Sequence, residues 1–367
     1  MGTKTPPKKA STIKKQEFDL NSFKSTSGLQ NNVKDKELEW IPLGDAFSEI
    51  TKCGIAKGYV TLLRGYSNTG KSTGMYEGIA SCQKMGILPV IIDTEGNFNW
   101  EYAKHVGVEY TEITDDNGEI INYDGFFIFM NTDLLEQKYG KYKHDEGKYG
   151  ATSRGEGCIE DISMFINELL DQQMEEKLPY ELCFFWDSIG SIDCYKAIMS
   201  KSRNNMWNAN SLEVSFKSIL NNRIPNSRKE GKKYTNTFVG VQKIWYDGMN
   251  NVVRHKGGEA FFYGARMIFH YGGIIAHGTS KLTATLEGRN YNFGTETKLG
   301  CVKNQVNGLT LEGKICSTPH GYWLPDKIDA YKKQNKNYLL EKLGLDGGEI
   351  SIKKEEVSAV EDMFSED

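Results

Sequence analysis

The apolar run YVTLLR at 59–64 leads without a break into GYSNTGKS at 65–72, and a helical pattern, TGMYEGIASCQKMG, follows. A strand that must turn through such a loop straight into a helix leaves few folds open. The loop fits G-x-x-x-x-G-K-[ST] at every position from Gly65 to Ser72. Glycine's permissive φ at Gly65 and Gly70 lets the chain curl so that backbone N–H groups converge on phosphate oxygens. Tyr66, Ser67, Asn68 and Thr69 supply the backbone between the glycines, and Thr73 continues it into the helix. Lys71 is placed to neutralise β- and γ-phosphates, Ser72 to offer a hydroxyl to Mg2+, and the helix points its positive end at the anion. The stretch predicts a nucleoside triphosphate site.

The rest of the core repeats the alternation. LPVIIDTEG, ELCFFWDSIG and TNTFVGVQKI are buried strands, and SLEVSFKSILNNR is a helix. Short apolar β-branched runs between helical patterns predict an α/β fold with a mostly parallel central sheet covered by helices on both faces. Beyond about residue 258, AFFYGARMIFHYGGII, TSKLTATLEGRN, TKLGCVKNQV and LEGKICST predict strands joined by short turns that continue the sheet in mixed or antiparallel fashion. Strand ends are where ligands gather in such a sheet. Asp187 ends the apolar strand FFWD and is the candidate metal carboxylate beside Ser72. Asp93 and Glu95 end another; Asp93 has a helix cap as its other reading, and Glu95 is the better candidate to orient water.

Composition closes off other classes. Among 367 residues the seven cysteines are scattered, with no C-x-x-C pair, and the six histidines have no ligand spacing. With no signal peptide and no apolar run near the ~20 residues of a bilayer span, the expected setting is the cytosol and no membrane. A net charge of −4 gives no whole-chain attraction for nucleic acid, so any such site is a local patch. Residues 1–37 are expected to be a flexible basic arm whose Phe18, Leu20 and Phe23 make it a candidate polymerisation segment. The core is expected over 38–325 with an insertion at about 110–157, a short helical region over 326–354, and an acidic, disordered tail at 355–367.

The ordered series of motifs resembles the RecA-type recombination ATPases, and FYGAR is close to its counterpart in UvsX recombinases of tailed phages. IIDTEGNFNWEYAKHVGV resembles the segment with the catalytic glutamate, Glu95, and the adenine-stacking tyrosine, Tyr102. VGVQKI resembles the strand ending in a γ-phosphate-sensing glutamine, Gln242. KGGEAFFYGAR resembles the end of the second DNA loop, and CVKNQV the strand whose lysine, Lys303, reaches the neighbouring subunit's triphosphate. The chain departs from RecA at Gln305, where a second lysine is usual, at Asn99, where the adenine-side Asp falls, and in a longer span between Glu95 and Asp187. The resemblance implies a RecA-like core that binds ATP with Mg2+ and hydrolyses ATP in a DNA-dependent way. It implies helical filaments of this chain on single-stranded DNA, double-stranded DNA as exchange partner, and a single-strand binding or mediator protein as helper. In a phage setting the location is the host cytoplasm.

Two stretches suit single-stranded DNA, which is bound by cations on phosphates and aromatic faces on bases. KIWYDGMNNVVRHK supplies Lys243, Trp245, Tyr246, Arg254 and Lys256; an exposed loop whose aromatics pack back on the core is the plainer reading. MSKSRNNMWNAN supplies Lys201, Arg203 and Trp207, matching the first DNA loop by position alone. Gln242 precedes the first stretch, which suggests coupling of nucleotide state to DNA affinity. Two other functions fit parts of the pattern. A hexameric replicative helicase would share the loop, the acid and the glutamine, with Arg266 or Arg289 as a finger in trans. A non-catalytic DNA-binding accessory would not need Glu95 and Asp187.

Overall fold

In a computed structural model of the chain, the residues described are 19–27, 34–142, 154–201, 205–250, 252–257, 259–273, 278–286 and 288–342. Their centre is an eleven-stranded sheet. Its strands are β1 (Val60–Gly65), β2 (Leu88–Asp93), β3 (Ile128–Asn131), β4 (Leu182–Ile189), β5 (Thr237–Asp247) and β6 (Val252–His255). They continue as β7 (Met267–Tyr271), β8 (Thr279–Leu286), β9 (Arg289–Asn304), β10 (Glu312–Thr318) and β11 (Gly321–Trp323). Six strands run parallel in the order β3-β2-β4-β5-β1-β7. From β7 the sheet turns antiparallel through β9, β10 and β11, with β8 beside β9 and β6 beside β5.

The inner parallel strands read as near-continuous apolar runs because both faces are covered. In β4, Phe184 and Trp186 enter one core while Cys183 and Phe185 enter the other. Helices α1 (Asp45–Thr51) and α2 (Lys71–Lys84) cover the second face through Phe47, Met75, Tyr76 and Ile79. Helices α3 (Ile159–Met174) and α4 (Asn205–Ser218) cover the first through Ile162, Phe165, Ile166, Leu212 and Phe216. Ile159, Ile162, Ile166 and Leu169 fall on one stripe of α3 at helical spacing. Helices Ile328–Gln334 and Lys336–Lys342 cover the antiparallel end, where Ile328, Tyr331 and Leu339 pack with Phe293 and Cys316.

Within the stretch expected as an insertion, Thr111–Thr114 and Ile120–Asp124 form a separate hairpin, but Ile128–Asn131 is β3, the edge of the main sheet. A four-residue strand framed by Tyr, Gly and Asp carries too short an apolar signal to stand out. Residues 143–153 lie outside the described set, as do the tail at 355–367 and residues 1–18 and 28–33 of the arm. Leu20–Thr26 is a helix capped by the Asp19 carboxylate, with none of its residues buried. All seven cysteines are buried free thiols. No helix among the described residues is long and apolar enough to cross a membrane.

Parallel register carries four strand ends to one edge. Asp93 lies opposite Asp187, and Gly65 opposite Lys243. Everything that follows is built there.

Candidate active site

The glycine loop is held from behind. Gly70 sits at φ 93°, where L side chains are strained, and an added Cβ would lie 2.1 Å from Ser317 Oγ. Gly65 is needed for a different reason from the torsional freedom read in the sequence. Its φ is not positive, but a Cβ there would lie 2.4 Å from the Tyr271 carbonyl oxygen. The Thr69 hydroxyl donates to the Tyr66 carbonyl at 2.8 Å, and the Tyr322 hydroxyl donates to Gly70 O at 2.6 Å. Helix α2 starts with no side chain capping it, so its N-terminal dipole faces the loop. The Lys71 ammonium is buried and donates to the Tyr66 carbonyl. Burial brings its pKa down to about 8, against the pull of Asp187. A buried cation turned onto a carbonyl at an uncapped helix start fits an anion such as triphosphate.

The acids stand across from it. Ser72 Oγ donates to Asp187 Oδ2 at 2.9 Å. Burial, then the charges of Glu95 and Asp93, push the Asp187 carboxyl up to about 6, while the Ser72 hydrogen bond and Lys71 oppose them. A carboxylate kept under such strain beside a hydroxyl fits a divalent cation. Glu95 accepts from the Lys243 ammonium at 2.5 Å and from the Ser188 hydroxyl. Burial works to raise its pKa, but these two donors hold it below the ordinary range. Asp93 does not cap a helix. Its Oδ1 accepts from the N–H groups of Glu95 (3.1 Å) and Gly96 (3.0 Å), and its Oδ2 from that of Phe98 (2.9 Å). It therefore shapes the turn that presents Glu95. The cap belongs to Asn99, whose side chain accepts from Tyr102 N at 2.8 Å.

Tyr102 is fixed by its hydroxyl, which meets Thr73 Oγ1 at 2.8 Å and donates to Thr318 O at 3.1 Å. Beside it opens a cleft of about 400 Å³ lined by Tyr102, His105, Tyr291, Phe293 and Tyr338, wide enough and aromatic enough for a base. Gln242 is fully buried at the end of β5. Its Nε2 donates to Lys256 O at 2.9 Å, and its Oε1 is buried without a partner.

The stretch after Gln242 is a β-hairpin rather than a loop, with Arg254 opposite Trp245 and Val253 opposite Tyr246. Its residues Trp, Tyr and Val favour strand, and Asp247 pins the turn by accepting from Met249 N and Arg254 Nε. Trp245, Arg254 and Lys256 are exposed, whereas Lys243 points into the cleft at Glu95. Trp207 lies on α4, partly packed on the core, with the Lys196 ammonium 4.4 Å from its ring centroid. Lys201 is an exposed left-handed helix terminus, and Arg203 lies outside the described residues. The hairpin and α4 share a cleft of about 810 Å³ lined by Trp245, Arg254, Lys256, Met206 and Asn208, with Asp193 and Glu259 on its wall. Lys303 donates to the carbonyls of Phe262 (3.0 Å) and Tyr263 (3.4 Å), far from its own chain's glycine loop in sequence. Arg266 donates to Gln305 Oε1 at 2.8 Å, and Arg289 opens β9.

Sequence reasoning missed Ser188, although it directly follows Asp187, and gave no hint of Tyr322, 252 residues from its partner Gly70.

No family model matches the chain. RecA of Ureaplasma parvum serovar 3 is 35% identical over 92 residues, which is 24% of this chain and 28% of that protein. RecA of Aquifex pyrophilus is 38% identical over 79 residues, 21% of this chain and 23% of that protein. RecA of Aquifex aeolicus is 36% identical over 80 residues, again 21% and 23%. Over that stretch the chain is related to RecA. The matched stretch spans about a quarter of the length of these curated relatives. The architecture agrees with a RecA-like core, a large and mostly parallel sheet flanked by helices.

Proposed function

We propose that the chain is an ATP-dependent DNA recombinase of UvsX-like type, forming filaments on single-stranded DNA and promoting homologous pairing and strand exchange. One observation carries the reading. Next to Lys243, which meets Glu95, the buried Gln242 donates to the Lys256 carbonyl at the base of the hairpin proposed to meet DNA. Its unpartnered Oε1 leaves it an acceptor to satisfy when the cleft fills.

Lys71 and the α2 N-terminus hold the phosphates, and the Tyr102 cleft takes the base. Ser72 and Asp187 would hold Mg2+, which would supply charge neutralisation at the phosphate oxygens. Glu95, shaped by Asp93, positions water and takes its proton. Trp245, Arg254 and Lys256 on the hairpin, with Lys201 and Trp207, and Arg203 by its position in the sequence, meet single-stranded DNA by stacking and charge. Lys303 of one copy completes the site of the next. Double-stranded DNA is then the exchange partner, and a single-strand binding or mediator protein assists loading.

The test is ATPase with and without single-stranded DNA, paired with negative-stain images in a slowly hydrolysed ATP analogue. DNA-stimulated hydrolysis with helical filaments is expected. Six-membered rings would move the chain to the helicase class, and DNA binding without hydrolysis to the accessory class.

A further inference from the structure

Lys243 was expected to face DNA, and its surroundings say otherwise. It follows Gln242 on β5 and stands opposite Gly65, where the glycine loop begins. Its ammonium takes Glu95 Oε2 at 2.5 Å while the Ser188 hydroxyl takes Oε1. Both oxygens of the water-positioning acid are thus engaged by donors of the chain itself. A carboxylate paired this closely with an ammonium is a weak acceptor for a water proton. The glycine loop that starts at Gly65, opposite Lys243, ends on Lys71, and the Lys243 charge helps lower the Lys71 pKa. The Lys243 side chain is 31% exposed and the Glu95 side chain 13%, so the lysine has room to swing on its stem while the acid is fixed.

An incoming triphosphate brings more negative charge to this cleft than Glu95 does. Lys243 would then have a better partner close by. We propose that Lys243 is an exchange lysine: it masks Glu95 in the nucleotide-free chain and passes to the terminal phosphate of bound ATP, freeing Glu95 to accept from water. ADP has no terminal phosphate at that place, so Lys243 stays on Glu95. The same residue is wired to the hairpin, because Lys243 O accepts from Lys256 N at 3.1 Å. The inference rests on the ATPase reading above and adds a residue that distinguishes ATP from ADP.

The experiment measures affinity for a non-hydrolysable ATP analogue and for ADP, by calorimetry on the full chain. Four proteins are compared: wild type, Glu95→Gln, Lys243→Met and the double variant. Using the Glu95→Gln background removes the lysine's resting partner, so any remaining loss on Lys243→Met comes from the phosphate. The double variant is expected to bind the analogue about tenfold more weakly than Glu95→Gln, with ADP affinity unchanged. Lys243→Arg should restore the preference for the analogue, and Lys243→Gln serves if the Met variant fails to fold. Equal analogue affinity in Glu95→Gln and the double variant would overturn the exchange, leaving Lys243 as a partner of Glu95 alone. A loss confined to single-stranded DNA affinity and its salt slope would also overturn it, making Lys243 a DNA contact. A wild-type chain that binds neither nucleotide would instead remove the ATPase reading, and this inference with it.

Discussion

Ser72 and Asp187, 115 residues apart in the chain, meet through a 2.9 Å hydrogen bond at the start of α2. The pair brings a carboxyl into a place where burial raises its pKa from 3.8 to about 6, with the Lys71 charge already counted in that balance. A carboxyl whose folded pKa lies above its unfolded one contributes stability at low pH that is lost as pH rises through the folded value. Asp187→Asn should therefore make the nucleotide-free, chelator-treated protein more stable above pH 6, by about 1–2 kcal/mol after allowing for its partial exposure. The gain should fade as pH drops towards the unfolded pKa of 3.8. Thermal denaturation across that range checks it. A less stable variant at neutral pH would mean that the charge is needed to hold the strand ends together.

Lys71 and Glu95 should separate binding from chemistry. Lys71→Ala removes the buried cation, and ATP binding, hydrolysis and ATP-dependent assembly should fall together. Glu95→Gln should keep ATP and DNA binding while hydrolysis falls by about two orders of magnitude or more, the range attributed to a lost general base. Equilibrium binding and steady-state turnover read the two effects. Equal loss of nucleotide binding in both variants would mean that Glu95 does not serve the water.

What the sequence could and could not reveal follows from the range of each interaction. Lys71, Ser72, Glu95 and Asp187 sit in local patterns, a glycine loop and two apolar strands ending in acids, and register alone brings such ends together. The parallel core was legible for the same reason, since β1, β2, β4 and β5 each open on at least four consecutive buried, mostly apolar residues. The support behind the loop was not, because Tyr322 and Ser317 arrive from β11 and β10 by antiparallel pairings that leave no local mark. The direction of Lys243 was also hidden. Period-two alternation puts it on the face away from Gln242, but nothing local says that Glu95 waits there.

Arg154 and Asp161 form an ion pair with side-chain exposures of 2% and 0%, at 2.9 Å, next to the start of α3. Asp161 also accepts from Cys158 N at 2.9 Å, so the carboxylate serves as the helix's capping group as well. Arg154→Ala should cost about 3–5 kcal/mol, because Asp161 is left charged and buried. Replacing both by apolar residues of similar volume, Arg154→Met with Asp161→Leu, should recover part of that loss, less the value of the cap. Urea denaturation of the three proteins decides. A single variant within 1 kcal/mol of wild type, roughly the value of an exposed pair, would show that water reaches the site.

On the proposed reading, Lys303 is the residue that distinguishes a polymer from a monomer. Within one chain its ammonium donates to the Phe262 and Tyr263 carbonyls at 3.0 and 3.4 Å, and it stands 5.4 Å from the Phe262 ring centroid. Two carbonyls hold an ammonium less firmly than a phosphate does, because the phosphate adds the attraction of its net negative charge to the hydrogen bond. A neighbouring copy's triphosphate can therefore draw it away. Lys303→Ala should leave a folded chain that binds nucleotide through Lys71, while DNA-stimulated turnover and ATP-dependent cooperativity fall together. Mixing Lys303→Ala with Glu95→Gln tests the shared site directly. The first variant keeps its own acid and the second still has a lysine to give, so one complete site can form where the two meet. Mixed assemblies should therefore recover ATPase above the sum of the separate proteins. A titration in which the mixture never exceeds that sum would leave Lys303 as an intrachain tie between β9 and the helix Ala260–Gly264.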